Sequence, residues 1–165
     1  MIFYATYASP IGLIEVGGTA QSITSLYFVE QQREGKESHP LVARAIDQLD
    51  AYFGSSLREF DLPLDLQGTE FQRQVWAQLQ TIPYGQITSY QAVADALGKP
   101  KAVRAVGAAN GQNPISIIVP CHRVIGSNGA LTGYAGGLDR KIALLELEGV
   151  RRTGSAQPAL FEHAA

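Results

Sequence analysis

The chain of 165 residues holds one cysteine, one methionine and one tryptophan. A single cysteine excludes an internal disulfide, and alone it cannot build a thiolate metal site. Long hydrophobic runs are also missing, since stretches such as Ile115–Pro120 are far too short to cross a bilayer. The N-terminus has no basic start followed by an apolar stretch, so we predict no signal peptide. These absences favour a reducing, cytoplasmic compartment.

A strong net charge is lacking as well, because the formal net charge is −2. That balance does not by itself indicate a nucleic-acid partner. The charges are unevenly placed: residues 1–68 carry four basic and nine acidic side chains, whereas residues 69–150 carry seven basic and five acidic ones. The second stretch therefore permits a phosphate-contacting face, although ordinary solvated surface is the commoner reason for such a weak asymmetry.

The first 68 residues have the pattern of a small antiparallel sheet followed by one helix. Short β-rich segments separated by glycine and proline cover Phe3–Tyr7, Leu13–Val16 and Ile23–Val29. Pro40 then opens a helix that Gly54 ends.

Residues 69–150 have a different pattern, which predicts a mostly helical domain. Thr69–Gln72 has the spacing of a capping box, and Ser89 can cap a second helix that Gly98 ends. A short turn leads into a further helix over Ala102–Asn110. Two short helices joined by a brief turn predict a helix-turn-helix.

The apolar stretch Ile115–Val119 predicts a strand that leads into Cys121. A glycine-rich loop over residues 126–137 follows, and then a last helix with Leu138, Ile142 and Leu145 on one side. We therefore predict an α+β protein with an N-terminal domain over residues 1–68, a C-terminal domain over residues 69–150 and a weakly patterned tail over residues 151–165.

The helix over Ala102–Asn110 is built from small side chains with one arginine, Arg104. Tight packing in a core is the commoner reason for such a composition. A second interpretation is close approach to DNA. A helix that reads the major groove needs long polar side chains, whereas small residues with one long side chain suit the minor groove. The residues alone leave both interpretations open.

Cys121 lies between Pro120 and the pair His122 and Arg123. Proton-accepting or positive neighbours favour the thiolate, which is the reactive form of cysteine. Free cysteine is also among the most buried residue types. These residues alone support a nucleophile and a buried structural thiol about equally.

A set of short motifs follows in a fixed order: Ser89-Tyr90-Gln91, Arg104-Ala105-Val106-Gly107, Asn113-Pro114, Pro120-Cys121-His122-Arg123-Val124, Gly133-Tyr134-Ala135-Gly136-Gly137 and Glu148-Gly149. In this order they closely resemble the O6-alkylguanine-DNA alkyltransferases, also called methylated-DNA–protein-cysteine methyltransferases. The resemblance is most specific over residues 69–150 and holds only in outline over residues 1–68.

This resemblance implies a ribonuclease-H-like sheet domain followed by a winged-helix-like domain with a helix-turn-helix. It also implies direct-reversal DNA repair. Members of the family bind double-stranded DNA through the minor groove, flip out O6-alkylguanine and move the alkyl group irreversibly to their own cysteine. We expect O4-alkylthymine as a further substrate and a monomer when free, and cooperative binding on DNA stays open. We expect no cofactor. A structural zinc known in the family uses N-terminal cysteines, which this chain lacks, so we predict no metal.

The resemblance assigns a role to each matching residue. Cys121 is the acceptor, His122 is the base that generates the thiolate through a bridging water, and Glu148 orients the histidine. Tyr90 donates a proton to guanine N3 as the base leaves. Arg104 fills the space that the flipped base leaves in the duplex. The small residues expected against the minor groove are Ala102, Val103, Ala105 and Gly107.

Other matches belong to the guanine pocket and to the loop before it. Asn113 is expected to hold that loop, and the Val124 carbonyl to line the pocket with Tyr134 and Ala135. Ala135 replaces a serine found in some relatives, which leaves only its backbone N–H to donate to O6. Thr132 stands where some relatives have glycine, and we expect its branched side chain to hinder bulky O6-benzylguanine.

Two rival functions belong to other classes. A cysteine hydrolase or acyltransferase could use Cys121, His122 and Glu148, but that function leaves Arg104 and the small-residue helix unexplained. A non-enzymatic lesion sensor or regulator could use the helix-turn-helix. Relatives that only bind damage lack the cysteine, so Cys121 argues against that function here.

Overall fold

The computed structural model describes residues 1–34 and 38–150. Its chain divides into two compact units, one made of Met1–Gln67 with Pro114–Ile118, the other of Gly68–Asn113 with the chain from Val119 onward. The tail predicted for residues 151–165 lies outside the described residues. The elements in chain order are β1 (Phe3–Ser9), β2 (Gly12–Gly18), β3 (Ile23–Phe28), α1 (Pro40–Phe53), α2 (Glu70–Leu79), β4 (Thr88–Ser89), α3 (Tyr90–Ala96), α4 (Val103–Gly111), a 3-10 turn (Cys121–Arg123), β5 (Val124–Ile125) and α5 (Leu138–Leu147).

The first unit is an antiparallel three-stranded sheet in the order β1-β2-β3 with α1 packed on it. Strand residues such as Val16 and Leu26 are fully buried and lie opposite each other in the register. The helix adds a buried stripe that includes Val42 and Leu49. It begins as the sequence predicts, with Pro40 in its first turn. The His39 side chain accepts a hydrogen bond from the Leu41 N–H and so caps one of the unsatisfied donors at the helix start.

The prediction of an apolar strand leading into Cys121 is wrong. The stretch forms isolated β-bridges instead of a strand. Ile115 bridges to Leu26 of β3, and Pro114–Ile118 belongs to the first unit. Ile117 then takes a positive φ of 72°, which turns the backbone out of an extended path. Pro120 has no N–H for a ladder, and the chain from Cys121 to Arg123 forms a 3-10 turn. Cys121 and His122 therefore do not point to opposite sides in the way that neighbouring residues of a strand do.

The second unit holds the predicted helix-turn-helix. Thr69 and Gln72 form the capping box that starts α2, and the Ser89 hydroxyl accepts the Ala92 N–H at the start of α3. Gly98 has a φ of +71° just after α3, a conformation that glycine adopts without strain. Helices α3 and α4 pack on each other and on α2, which completes the predicted motif. The α+β fold class is thus confirmed.

A short parallel pairing positions the site. Thr88 of β4 lies opposite Val124 of β5, and Ser89 lies opposite Ile125. Because α3 begins directly after β4 and the 3-10 turn ends directly before β5, this pairing brings the start of α3 close to Cys121.

The last helix, α5, differs from the prediction in the face that it buries. Its buried residues are Lys141, Leu144 and Leu145, whereas Leu138 is 45% exposed. A lysine can occupy the buried face because its amine reaches backbone carbonyls, as described below. No helix in the described ranges is long and apolar enough to span a membrane.

Candidate active site

The 3-10 turn brings a thiol, an imidazole and a carboxylate into the interior of the second unit. Cys121 is 3% exposed and His122 is fully buried. Glu148 follows the last residue of α5, and its Oε2 lies 2.7 Å from Nε2 of His122. Glu148 is the C-cap residue of α5, and the fold brings that helix end to the histidine.

The hydrogen bond to Glu148 fixes which imidazole nitrogen is free to act. A carboxylate only accepts hydrogen bonds, so Nε2 of the neutral ring must carry the proton. The lone pair is then on Nδ1, a buried atom without a hydrogen-bond partner among residues 1–34 and 38–150. Burial lowers the pKa of His122 below its ordinary value, and Arg123 and Lys141 act in the same direction against the raising effect of Glu148. His122 is therefore neutral at pH 7 and has a lone pair on Nδ1 that can accept a proton.

Arg123 is the residue of this site whose role the sequence did not predict. Its Nε donates to Glu148 Oε1 at 2.7 Å, and a second guanidinium nitrogen donates to Oε2 at 3.1 Å. The remaining nitrogen donates to the Ile82 carbonyl at 2.6 Å. Burial raises the pKa of Glu148, but His122 and the arginine fork outweigh it and hold that pKa far below its usual range. Glu148 is thus a fixed negative charge whose orientation Arg123 sets.

A second group of contacts surrounds the Thr132 carbonyl in the glycine-rich loop. The Tyr90 hydroxyl, on the first residue of α3, donates to it at 3.0 Å, and Lys141 Nζ donates to it at 2.9 Å. Lys141 also donates to the Val124 carbonyl at 2.6 Å. Burial raises the pKa of Tyr90, so the phenol is a neutral proton donor at pH 7. Burial lowers the pKa of Lys141 to about 8.

The predicted pocket residues occupy different environments. Tyr134 is buried, whereas Thr132 and Ala135 are exposed on the same loop. Gly133 between them has a φ of +59° and sits so that a Cβ there would lie 3.7 Å from the Tyr90 hydroxyl. The Val124 carbonyl, which was also predicted to line the pocket, accepts a hydrogen bond from Lys141.

Helix α4 has two distinct faces. Arg104, Ala105 and Ala108 are exposed, while Val106 and Ala109 are buried. Trp76 of α2 donates its indole N–H to the Ala109 carbonyl at 2.8 Å and so anchors the buried face. Ala102, Val103 and Gly107 are partly exposed at the margin between the two faces. The interpretation of tight packing in a core therefore holds for the buried side of α4, and the close approach to DNA stays a prediction for the exposed side.

Lys141 is the second residue that sequence reasoning missed. A signal existed in the sequence, because Lys141 falls on the same helical side as Leu144 and Leu145, where a lysine is unusual unless its amine meets hydrogen-bond acceptors.

Asn113 was predicted to hold the loop before the active site, and its Nδ2 donates to the Val119 carbonyl at 2.8 Å. In the described ranges no three His, Cys, Asp or Glu residues come together as a metal-holding group.

Comparison with known proteins agrees with this geometry. A model of the 6-O-methylguanine DNA methyltransferase DNA-binding domain matches residues 70–150, and a model of the ribonuclease-like domain of the same proteins matches residues 2–66. The chain belongs to the 6-O-methylguanine DNA methyltransferase family.

Relatives within this family match over nearly their full length. A methylated-DNA–protein-cysteine methyltransferase of Mycolicibacterium paratuberculosis is 54% identical, over 98% of this chain and 100% of the relative. One of the same name from Methanosarcina acetivorans is 47% identical, over 90% and 99%. The crystal structure of the Mycobacterium tuberculosis protein in complex with DNA matches with a TM-score of 0.82 at 53% identity, over 88% of this chain and 92% of that one.

Proposed function

We propose that this protein repairs DNA by moving the alkyl group of O6-alkylguanine, and of O4-alkylthymine, onto its own Cys121. It is a methylated-DNA–protein-cysteine methyltransferase that acts once per molecule. The observation that carries the proposal is a buried Cys121 that is followed in the 3-10 turn by His122, a neutral imidazole whose Nε2–H is held by Glu148 and whose Nδ1 has no protein partner in the described ranges.

The transfer is a displacement at a saturated carbon. The Cys121 thiol gives its proton to Nδ1 of His122 through a bridging water, and the imidazolium that forms is stabilised by Glu148. The thiolate sulfur then forms a bond to the alkyl carbon as the bond from that carbon to guanine O6 breaks. The electron pair of the broken bond stays on the guanine.

Tyr90 is proposed to complete the reaction by donating its proton to guanine N3. A neutral phenol in a site with little water is a suitable donor to a developing anion. Its contact with the Thr132 carbonyl, shared with Lys141, orients the hydroxyl in the free protein. The product is a thioether, which has no hydrolytic leaving path comparable to that of an acyl-cysteine. One alkyl group therefore consumes one protein molecule.

DNA is the partner of this family's DNA-binding domain, and we propose double-stranded DNA bound through its minor groove. The exposed face of α4 has small side chains that permit close approach, with Arg104 to occupy the gap left by the flipped base. Flipping costs unstacking energy, least for a mispaired base, and so contributes to selectivity. On this proposal residues 69–150 bind DNA and carry out the transfer. The guanine is held by Tyr134, Ala135 and the Val124 carbonyl. The free protein is a monomer.

The two rival functions fit these observations less well. A hydrolase would have no use for a small-residue helix with one exposed arginine. A lesion sensor would have no use for a cysteine placed beside a neutral base. Both remain outcomes of the experiment below.

The decisive experiment incubates the protein with a duplex oligonucleotide that holds one O6-methylguanine, followed by intact-mass measurement and peptide mapping. We expect a gain of one methylene on Cys121, at one per protein molecule, and none in Cys121→Ser. In Arg104→Ala, we expect slower transfer from duplex DNA and unchanged transfer from the free base O6-benzylguanine. Tight binding without modification would make the protein a sensor, and neither binding nor transfer would reopen the hydrolase.

A further inference from the structure

Two asparagine side chains at the C-terminal end of α4 hold the backbone on either side of Pro120. The Asn113 amide donates to the Val119 carbonyl at 2.8 Å, as noted above. The Asn110 amide donates to the carbonyl of Cys121 itself at 3.3 Å. Asn110 is 1% exposed and lies one turn before Asn113. We infer that Asn110 is a positioning residue for alkyl transfer, which ties the backbone of the nucleophile to α4. This inference rests on the proposed function.

The hydrogen bonds around Asn110 indicate that folding does not require its contact with the Cys121 carbonyl. The Cys121 carbonyl already accepts the backbone N–H of Val124, which closes the 3-10 turn. The Nδ2 of Asn110 must face that carbonyl, because two oxygens would repel each other. Its Oδ1 is then buried with no partner among residues 1–34 and 38–150. A buried amide oxygen left unpaired costs stability, so folding alone would favour an apolar side chain at this position.

The position of Asn110 on α4 lets its contact with the Cys121 carbonyl connect the nucleophile to the helix that is proposed to bind DNA. Arg104, Ala105 and Ala108 occupy the exposed face that is proposed to meet DNA, and Asn110 lies on the buried face with Val106 and Ala109. The helix is held from behind by the Trp76 indole at the Ala109 carbonyl, the residue before Asn110. One rigid element therefore carries both the DNA-contacting face and the bond to the nucleophile. The depth at which α4 docks then sets the position of Cys121 relative to the flipped base.

Small errors in that position have large kinetic consequences, because a displacement of about 1 Å can slow a reaction roughly 100-fold. The experiment compares wild type with Asn110→Leu, which keeps the branching of the side chain, and Asn110→Ala. Three quantities are measured: the first-order rate of methyl transfer at saturating duplex DNA, the Kd for the same DNA, and the melting temperature. The matched control is Gln112→Ala, since Gln112 is an exposed amide at the same helix end that pairs with Gln72.

We expect both Asn110 variants to slow the transfer roughly 10- to 100-fold, with an unchanged Kd for DNA. Asn110→Leu should melt at the same temperature as wild type or higher, because it removes an unpaired buried oxygen. The Gln112 control should match wild type in all three measurements.

A variant rate equal to that of wild type would overturn the inference. So would a rate loss accompanied by a lower melting temperature in both variants, because it would assign Asn110 a purely structural role. If the wild type itself transferred no methyl group, the proposed function would fail instead, so the two failures are distinguishable.

Discussion

The two units of this protein use ion pairs in opposite ways. In the first unit, Arg44 and Asp61 form a pair whose side chains are 48% and 96% exposed, and Glu15, which is 11% exposed, pairs with Arg33, which is 51% exposed. In the second unit, the fully buried Glu148 pairs with Arg123, which is 8% exposed, and accepts a hydrogen bond from the fully buried neutral His122. Each pair of the first unit therefore keeps at least one side chain in water, whereas water is excluded from both sides of the pair in the second unit.

This difference in burial explains the difference in use. A solvated ion pair gains little, because water competes for both charges and each charge stays solvated when its partner is removed. A buried carboxylate is tolerated only with partners that satisfy it, and removing one partner leaves an uncompensated charge. In the second unit, the buried charge of Glu148 is therefore unfavourable by itself, but it fixes the tautomer of His122.

The largest expected effect comes from removing the buried carboxylate. Glu148→Gln leaves the Arg123 guanidinium buried without a counter-charge and should lower the free energy of unfolding by about 3–5 kcal/mol. It should also slow methyl transfer by at least 100-fold, because nothing then stabilises the imidazolium. Urea titration and single-turnover transfer measure the two effects.

The matched control is Asp61→Asn in the first unit, because the Asp61 side chain is 96% exposed. Arg44 stays solvated without that carboxylate, so the urea midpoint and the transfer rate should stay close to those of wild type. Equal destabilisation by the two substitutions would contradict the contrast between the units.

An intermediate effect is expected from pH. Burial lowers the pKa of His122 in the folded protein, so the unfolded chain binds a proton first as the pH falls below about 6.5. The free energy of unfolding is therefore highest above that pH. As the pH falls further, it decreases by up to about 1.4 kcal/mol per pH unit until the histidine of the folded protein also binds a proton. The transfer rate falls at the lower pH where His122 itself takes up a proton, because Nδ1 then has no lone pair.

A histidine of the first unit provides the comparison for this pH dependence. His39 caps α1 through its side chain, and His39→Asn retains a capping acceptor. This variant should keep the acid limb of the pH–rate profile at the wild-type position. A limb that moved in His39→Asn would show that the profile does not report His122.

The smallest effect on stability is expected within the second unit itself, at its exposed loop. Thr132 holds Tyr90 and Lys141 through its backbone carbonyl, and its hydroxyl also donates to the Tyr90 hydroxyl at 3.3 Å. Thr132→Gly keeps the two carbonyl contacts and loses the branched side chain together with that hydroxyl contact. We expect faster reaction with free O6-benzylguanine and little change in methyl transfer, measured as two second-order rates. An unchanged rate with O6-benzylguanine would show that Thr132 does not restrict the pocket.

Local signals in the sequence predicted much of the fold. Helix starts at Thr69 and Ser89 were correct because capping depends on a few neighbouring residues. The strand expected before Cys121 was wrong because apolar content also suits a buried irregular segment, and one positive φ at Ile117 redirected it. Leu138, Ile142 and Leu145 were predicted on one side of α5, yet Leu145 is buried and Leu138 is exposed, since helical spacing does not show which face meets the core.

For the site, the motif order predicted which residues take part, and it did so through resemblance to a family. The motifs include Cys121, His122 and Glu148, and the fold brings His122 and Glu148 together. The role of Arg123 could not be predicted, although it stands inside the motif, because its partners at Glu148 and Ile82 are distant in sequence. Lys141 was missed for the same reason.

The sequence by itself therefore determined the helix caps, the order of elements and the family of this protein, because those depend on neighbouring residues and on motif order. Only the tertiary structure decided which histidine nitrogen is free, which charges are buried together and which side chain holds the carbonyl of the nucleophile. Those properties depend on distances between residues far apart in the chain and on the exclusion of water, and neither is encoded at any single position.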